Sequence, residues 1–312
     1  MTEPGMPEAD PPPADTERAS PRFRALDTWD SLTALDALWE GQMAAIAALR
    51  PALPALAQAA EAAAERLGAS AGRLIYCGAG TSGRLAALDA AELPPTFDWP
   101  AARIALLLAG GTASLLRAAE GAEDDVLAAT EGLAALAPTS ADVLIGLAAS
   151  GGTPFTRAAI RAARDAGCLT IGIANSPQAP LLAEAAHGIL IETGAEAIAG
   201  STRMKAGTGQ KAALTLLSTL IMIRLGRVHD GRMVEMRPTN AKLTVRAERM
   251  VADLADCDAT IAARSLAATG GVIKPAVLMA AAGCGPAEAA ALLSRHAGNL
   301  RRALAEICQN PL

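Results

Sequence analysis

Two glutamates stand where side chains could move protons. Glu92 lies in Asp89-Ala90-Ala91-Glu92-Leu93-Pro94-Pro95-Thr96, and the paired prolines predict a helix end just beyond it. The helix dipole opposes a negative charge there, a setting suited to a general acid. Glu123 lies in Glu120-Gly121-Ala122-Glu123-Asp124-Asp125. Acidic clusters of this kind also mark solvated helix starts, so residue chemistry alone leaves both readings open for Glu123.

Three turns rich in glycine and hydroxyl groups accompany these carboxylates. The first, Gly78-Ala79-Gly80-Thr81-Ser82-Gly83, has the GxGxxG spacing. A dinucleotide site would also need an acid at the end of the next strand, which here ends Leu108-Ala109-Gly110-Gly111. A phosphate loop would need Lys-Ser/Thr where this chain has Arg84-Leu85. What remains is either an anion site of backbone N–H groups and hydroxyls, or a tight turn capped by a hydroxyl. The second turn, Ser150-Gly151-Gly152-Thr153-Pro154, repeats the chemistry, with Pro154 suited to a first helical turn. The third, Gly200-Ser201-Thr202-Arg203-Met204-Lys205-Ala206-Gly207-Thr208, adds cations. The chain has only four lysines, and Lys205 and Lys211 both fall in or beside this turn. Three such turns predict a phosphosugar pocket.

The elements that must position these residues follow from apolar spacing. Helical periodicity covers 27–67, interrupted by Pro51 and Pro54. Short apolar runs then alternate with helical stretches: Leu74–Cys77, Ile104–Leu108, Val143–Leu147, Thr170–Ile173 and Ile189–Ile191. This alternation predicts an α/β fold, a three-layer αβα domain with a parallel sheet. In such sheets ligands bind beyond the carboxyl ends of the strands, where the first two turns fall. A long helix is predicted over 201–225, an irregular segment over 226–242, and a C-terminal helical subdomain over 243–312. Residues 1–26, with six prolines among the first 22, read as a disordered tail.

Composition removes several other classes. The 312 residues carry a net charge of −5 and only seven aromatic side chains, which argues against a nucleic-acid partner. The longest apolar run, Ala212 to Ile223, is too short to span a bilayer, so no membrane partner is expected. Five widely spaced cysteines and three scattered histidines support neither a disulfide framework nor a metal site, and they fit a reducing, cytoplasmic setting.

The motifs resemble those of the N-acetylmuramic acid 6-phosphate etherases. The resemblance is carried by Leu74-Ile75-Tyr76-Cys77-Gly78-Ala79-Gly80-Thr81-Ser82-Gly83-Arg84-Leu85, by Glu92-Leu93-Pro94-Pro95-Thr96-Phe97, and by Glu120-Gly121-Ala122-Glu123-Asp124. Ala148-Ala149-Ser150-Gly151, the Gly200–Thr208 turn and Thr239-Asn240-Ala241-Lys242-Leu243 continue it in family order. It runs from about residue 27 to the C-terminus. It implies a sugar isomerase (SIS) domain over 27–242, a homodimer, and no metal or nucleotide cofactor. The implied reaction cleaves a lactyl ether from a phosphorylated amino sugar, with Glu92 as the acid and Glu123 as the base and second carboxylate. Gly80, Thr81, Ser82, Ser150, Gly151, Thr153, Ser201, Thr202 and Lys205 are the implied phosphate and sugar contacts. One departure is Gly152, where the family commonly has arginine. A non-catalytic sugar-phosphate sensor and a phosphosugar isomerase fit the same fold as alternatives.

Overall fold

Each of the five apolar runs becomes a strand in the computed structural model, which describes residues 15–309. The strands are β1 (Leu74–Gly78), β2 (Ile104–Leu108), β3 (Val143–Leu147), β4 (Leu169–Ala174) and β5 (His187–Leu190). They form one parallel sheet in the order β2-β1-β3-β4-β5. Leu74 is in register with both Ile104 and Val143. The sheet is buried on both faces, which is why its strands read as continuous apolar runs.

The period-two alternation of strand side chains divides the core. Tyr76, Ile145 and Ile173 face one layer, while Ile75, Cys77 and Leu144 face the other. The first layer holds α1 (Ser31–Ala47), α2 (Leu53–Gly68), α3 (Gly80–Phe97) and, later in the chain, a long helix from Lys205 to Arg224. Asp30 caps α1 by accepting from the N–H groups of Leu32 and Thr33. The second layer holds α4 (Val126–Ala135), α5 (Pro154–Asp165) and α6 (Pro180–Glu184). The long helix is α7 (Lys205–Arg224).

Five further helices follow: α8 (Ala241–Ala255), α9 (Ala259–Ala268), α10 (Ile273–Ala282), α11 (Pro286–Arg295) and α12 (Leu300–Gln309). They enclose a core of their own that includes Val251, Leu266, Val277 and Leu300. Val234 and Met236 from the preceding irregular segment also enter that core. The buried Lys274 ties the two together, donating to Glu235 at 2.5 Å and to the Gly298 carbonyl at 2.7 Å. Arg227 reaches back to the carbonyls of Phe97 and Asp98 at the end of α3.

Two expectations are corrected. Residues 15–26, placed by composition in a disordered tail, are folded, with 3-10 turns at Asp15–Glu17 and Pro21–Phe23 and a third over Leu26–Thr28. Tertiary contacts hold them: Gly200 N–H donates to Thr16 O at 3.1 Å, and Arg22 pairs with Glu40. The rest of that tail, 1–14, lies outside the described residues. Nor does α3 end at the paired prolines; it continues through Pro94 and Pro95 to Phe97, where Asp98 terminates it at φ +49°. Proline's own φ is helical, so the pair removes two ladder bonds without ending the helix.

Candidate functional site

Strand order reverses beside β1: β2 lies to one side and β3 to the other. Such a switch point opens a crevice at the carboxyl ends of the strands. The turn from β1 into α3 is built by its glycines. Gly80 sits at φ +53°, a conformation that disfavours other residues. At Gly78 and Gly83 the reason is proximity: a Cβ on Gly83 would lie 2.7 Å from the Gly78 carbonyl. These two glycines let α3 start directly against the strand. The first α3 bond runs from Gly83 N–H to Ala79 O, so earlier N–H groups have no intrahelical partner.

The turn from β3 into α5 works similarly. Gly151 sits at φ +68°, and a Cβ there would stand 2.2 Å from that of Ala179. Ser150 Oγ accepts from Gly152 N–H at 3.1 Å, which leaves its own proton available to donate. Thr153 precedes α5 without a side-chain capping bond.

A cavity of about 430 Å³ opens between these turns. Gly80, Thr81, Ser82, Ser150 and Thr153 line it, together with Thr202 and Glu123. Gly151, Ser201 and Lys205, also expected at the site, do not line it. Ser82 already has an intramolecular partner: its hydroxyl donates to Gln210 at 2.8 Å. Gln210 donates in turn to Asn175, and Asn175 to the Ile191 carbonyl. Ser82 therefore faces a ligand as an acceptor, while Ser150 faces it as a donor.

The start of α7 is filled from within. Glu196, fully buried, accepts from the N–H groups of Lys205 and Ala206, each at 2.9 Å. A protein carboxylate thus occupies the helix terminus that the Gly200–Thr208 turn offered to a ligand. Burial draws the Lys205 ammonium below the usual lysine range, against the opposing pull of Glu196.

Glu92 belongs to a different cavity. It lies twelve residues along α3 from Gly80, about 18 Å at the helical rise. There it lines a groove of about 330 Å³ between α3 and α7, with Asp89, Lys211 and Ser218. Asp89, one turn earlier, accepts from Tyr76 at 2.8 Å and from Ser218 at 3.0 Å. Burial raises its carboxyl above the usual aspartate range, against those hydrogen bonds and Lys211, and the nearby Glu92 adds to the rise. Within one protomer, then, Glu92 and Glu123 do not share a cavity.

Sequence reasoning passed over Glu17, which also lines the hydroxyl cavity, Glu196, which bonds the third turn, and Gln210, which bonds Ser82 of the first. Gln210 had a signal, its place beside Lys211, whereas Glu17 and Glu196 had none outside the fold. Another cavity, of about 910 Å³, carries Arg232, Lys242, Arg246 and Arg249. It shares no residue with the hydroxyl cavity. Asn240, in the Thr239–Leu243 motif, caps α8 by accepting from Leu243 N–H. No single helix among the described residues is long and apolar enough to cross a membrane.

The chain is similar to proteins of known name. An N-acetylmuramic acid 6-phosphate etherase of Deinococcus radiodurans is 46% identical over 294 residues, covering 94% of this chain and 96% of its own. One from Edwardsiella ictaluri is 43% identical over 291 residues, covering 93% and 97%. The family model of the glucokinase regulatory protein N-terminal SIS domain matches residues 55–164. Among solved structures, a phosphoheptose isomerase from Francisella tularensis aligns with 63% of this chain and 98% of its own, at 22% identity and a TM-score of 0.48.

Proposed function

Since the chain belongs to the N-acetylmuramic acid 6-phosphate etherase family, we propose that it cleaves the D-lactyl ether of N-acetylmuramic acid 6-phosphate, giving N-acetylglucosamine 6-phosphate and D-lactate. The observation that carries this is identity above 40% over nearly the whole of both chains, with both motif glutamates present.

The chemistry accounts for two carboxylates. In the open-chain sugar the aldehyde at carbon 1 acidifies the hydrogen on carbon 2. The ether oxygen on carbon 3 is then a β-leaving group. Glu123 takes the proton from carbon 2, the carbon 3–oxygen bond breaks, and Glu92 protonates the departing lactate oxygen. Water then adds at carbon 3 of the unsaturated aldehyde, and carbon 2 regains a proton. The proton transfers that accompany elimination and water addition are ones that two carboxyl groups can carry. The phosphate sits against the N-termini of α3 and α5, held by Thr81, Ser150 and Thr153 with the unpaired N–H groups of α3. Glu123 lines that cavity.

Glu92 reaches the reaction from a second copy of the chain. One side of α1 exposes Leu32, Leu35, Trp39, Met43 and Ile46, from 77% down to 46%, at helical spacing. Leu88, half exposed on α3, lines the Glu92 groove. A two-fold dimer would cover the surface and carry each protomer's Glu92 toward its neighbour's hydroxyl cavity. The five unpaired thiols support a reducing, cytoplasmic setting, where sugar phosphates occur.

The test is incubation with N-acetylmuramic acid 6-phosphate in heavy water. Lactate release with deuterium at carbon 2 is the expected result. Absence of lactate at high enzyme concentration overturns the reading.

A further inference from the structure

One carboxylate in the hydroxyl cavity comes from a segment that carries no part of the reaction above. Residues 15–20 run past the Gly200 turn, held by the 3.1 Å bond from Gly200 N–H to Thr16 O. Thr16 is fully buried, so this segment is anchored, not merely adjacent. The next residue, Glu17, lines the same cavity as Thr81, Ser150, Thr153 and Glu123. Its carboxylate lies over Gly200: a Cβ there would stand 2.9 Å from Glu17 Oε2. Gly200 itself is fixed by its φ of +75°.

We propose that this N-terminal strap forms one wall of the substrate site and that Glu17 binds the sugar, accepting hydrogen bonds from its hydroxyls or its acetamido N–H. The proposal rests on the cavity being the phosphosugar site. An ionised carboxylate only accepts hydrogen bonds, so its partners are neutral donors. Like charge disfavours a phosphate beside Glu17, while the N-termini of α3 and α5 attract one. Glu17 therefore sets which way round the ligand lies, sugar toward the strap and phosphate toward the helix ends.

The test compares full-length wild type with Glu17→Gln and Glu17→Ala, titrated calorimetrically with N-acetylglucosamine 6-phosphate, glucose 6-phosphate and inorganic phosphate. Losing a charged acceptor predicts roughly tenfold or greater weakening for the acetamido sugar. Equal weakening for glucose 6-phosphate assigns Glu17 to the hydroxyls; no weakening there assigns it to the acetamido N–H. Inorganic phosphate is expected to bind as well as before or more tightly, since a nearby negative charge has gone. Unchanged sugar-phosphate affinity in both variants overturns the role of Glu17. So does an equal loss of inorganic phosphate affinity, which would mean that the strap merely supports the fold. Wild type that binds no sugar phosphate overturns the underlying reading of the cavity instead.

Discussion

At the residue scale, the two glutamates differ in how much a single protomer explains them. Glu123 stands among the groups expected around a phosphosugar, whereas Glu92 lies three turns down its helix in another groove. If Glu92 protonates the leaving group, Glu92→Gln lowers lactate release by about 10²–10⁴-fold. Exchange of the carbon 2 hydrogen with solvent survives in that variant, because the base is intact, and deuterium incorporation without lactate measures this. Gly152 supports a second expectation. It lines the cavity, it has no left-handed φ, and a Cβ there meets only Ser150 Oγ, at 3.6 Å. The backbone therefore accepts a Cβ at this position, and Gly152→Arg brings a cation to a cavity whose lining has none. The expected outcome is a KM roughly tenfold lower, read from steady-state kinetics with kcat little changed.

At the element scale, the pocket depends on where β1 and β3 end, and so on how they are pinned where they begin. Asp142, buried just ahead of β3, accepts from Arg73 N–H at 2.7 Å and from the Arg73 guanidinium at 2.8 Å. Burial alone would raise its carboxyl, but Arg73 and the Thr139 N–H bring it below the usual aspartate range. A carboxyl depressed in the folded state stabilises the protein above the unfolded aspartate value, about pH 4, and loses that contribution as pH falls through its own lower value. Asp142→Ala leaves Arg73 and two backbone N–H groups without their acceptor and is expected to destabilise by about 3 kcal/mol at neutral pH. Urea unfolding measures this, and the gap from wild type should narrow in acid. The strands were legible to within a residue or two, since burial on both faces leaves an uninterrupted apolar run. The end of α3 was not legible. Local rules stop a helix before Pro94, but the chain continues because Leu93 and Phe97 are buried against the sheet layer.

At the scale of the whole molecule, the proposed two-fold dimer accounts for both the apolar face of α1 and the separation of the two glutamates. That arrangement predicts complementation. Glu92→Gln and Glu123→Gln are each inactive alone, but unfolded and refolded together they should recover about a quarter of wild-type activity, because random pairing in a two-fold dimer leaves one intact site in each mixed dimer. No recovery, with mixed dimers demonstrated by mass, removes the shared site. The sequence by itself determined the αβα layering, the positions of the strands and the chemistry of the first two turns, because apolar period and turn residues are local properties of a chain. Which groups meet was decided only in three dimensions. Glu196 fills the α7 terminus, Ser82 engages Gln210, the 15–20 strap closes on Gly200, and Glu92 and Glu123 line different cavities. Each of these pairs residues from separate stretches of chain or turns on the face that a helix presents, and sequence spacing alone does not encode the packing that brings them together.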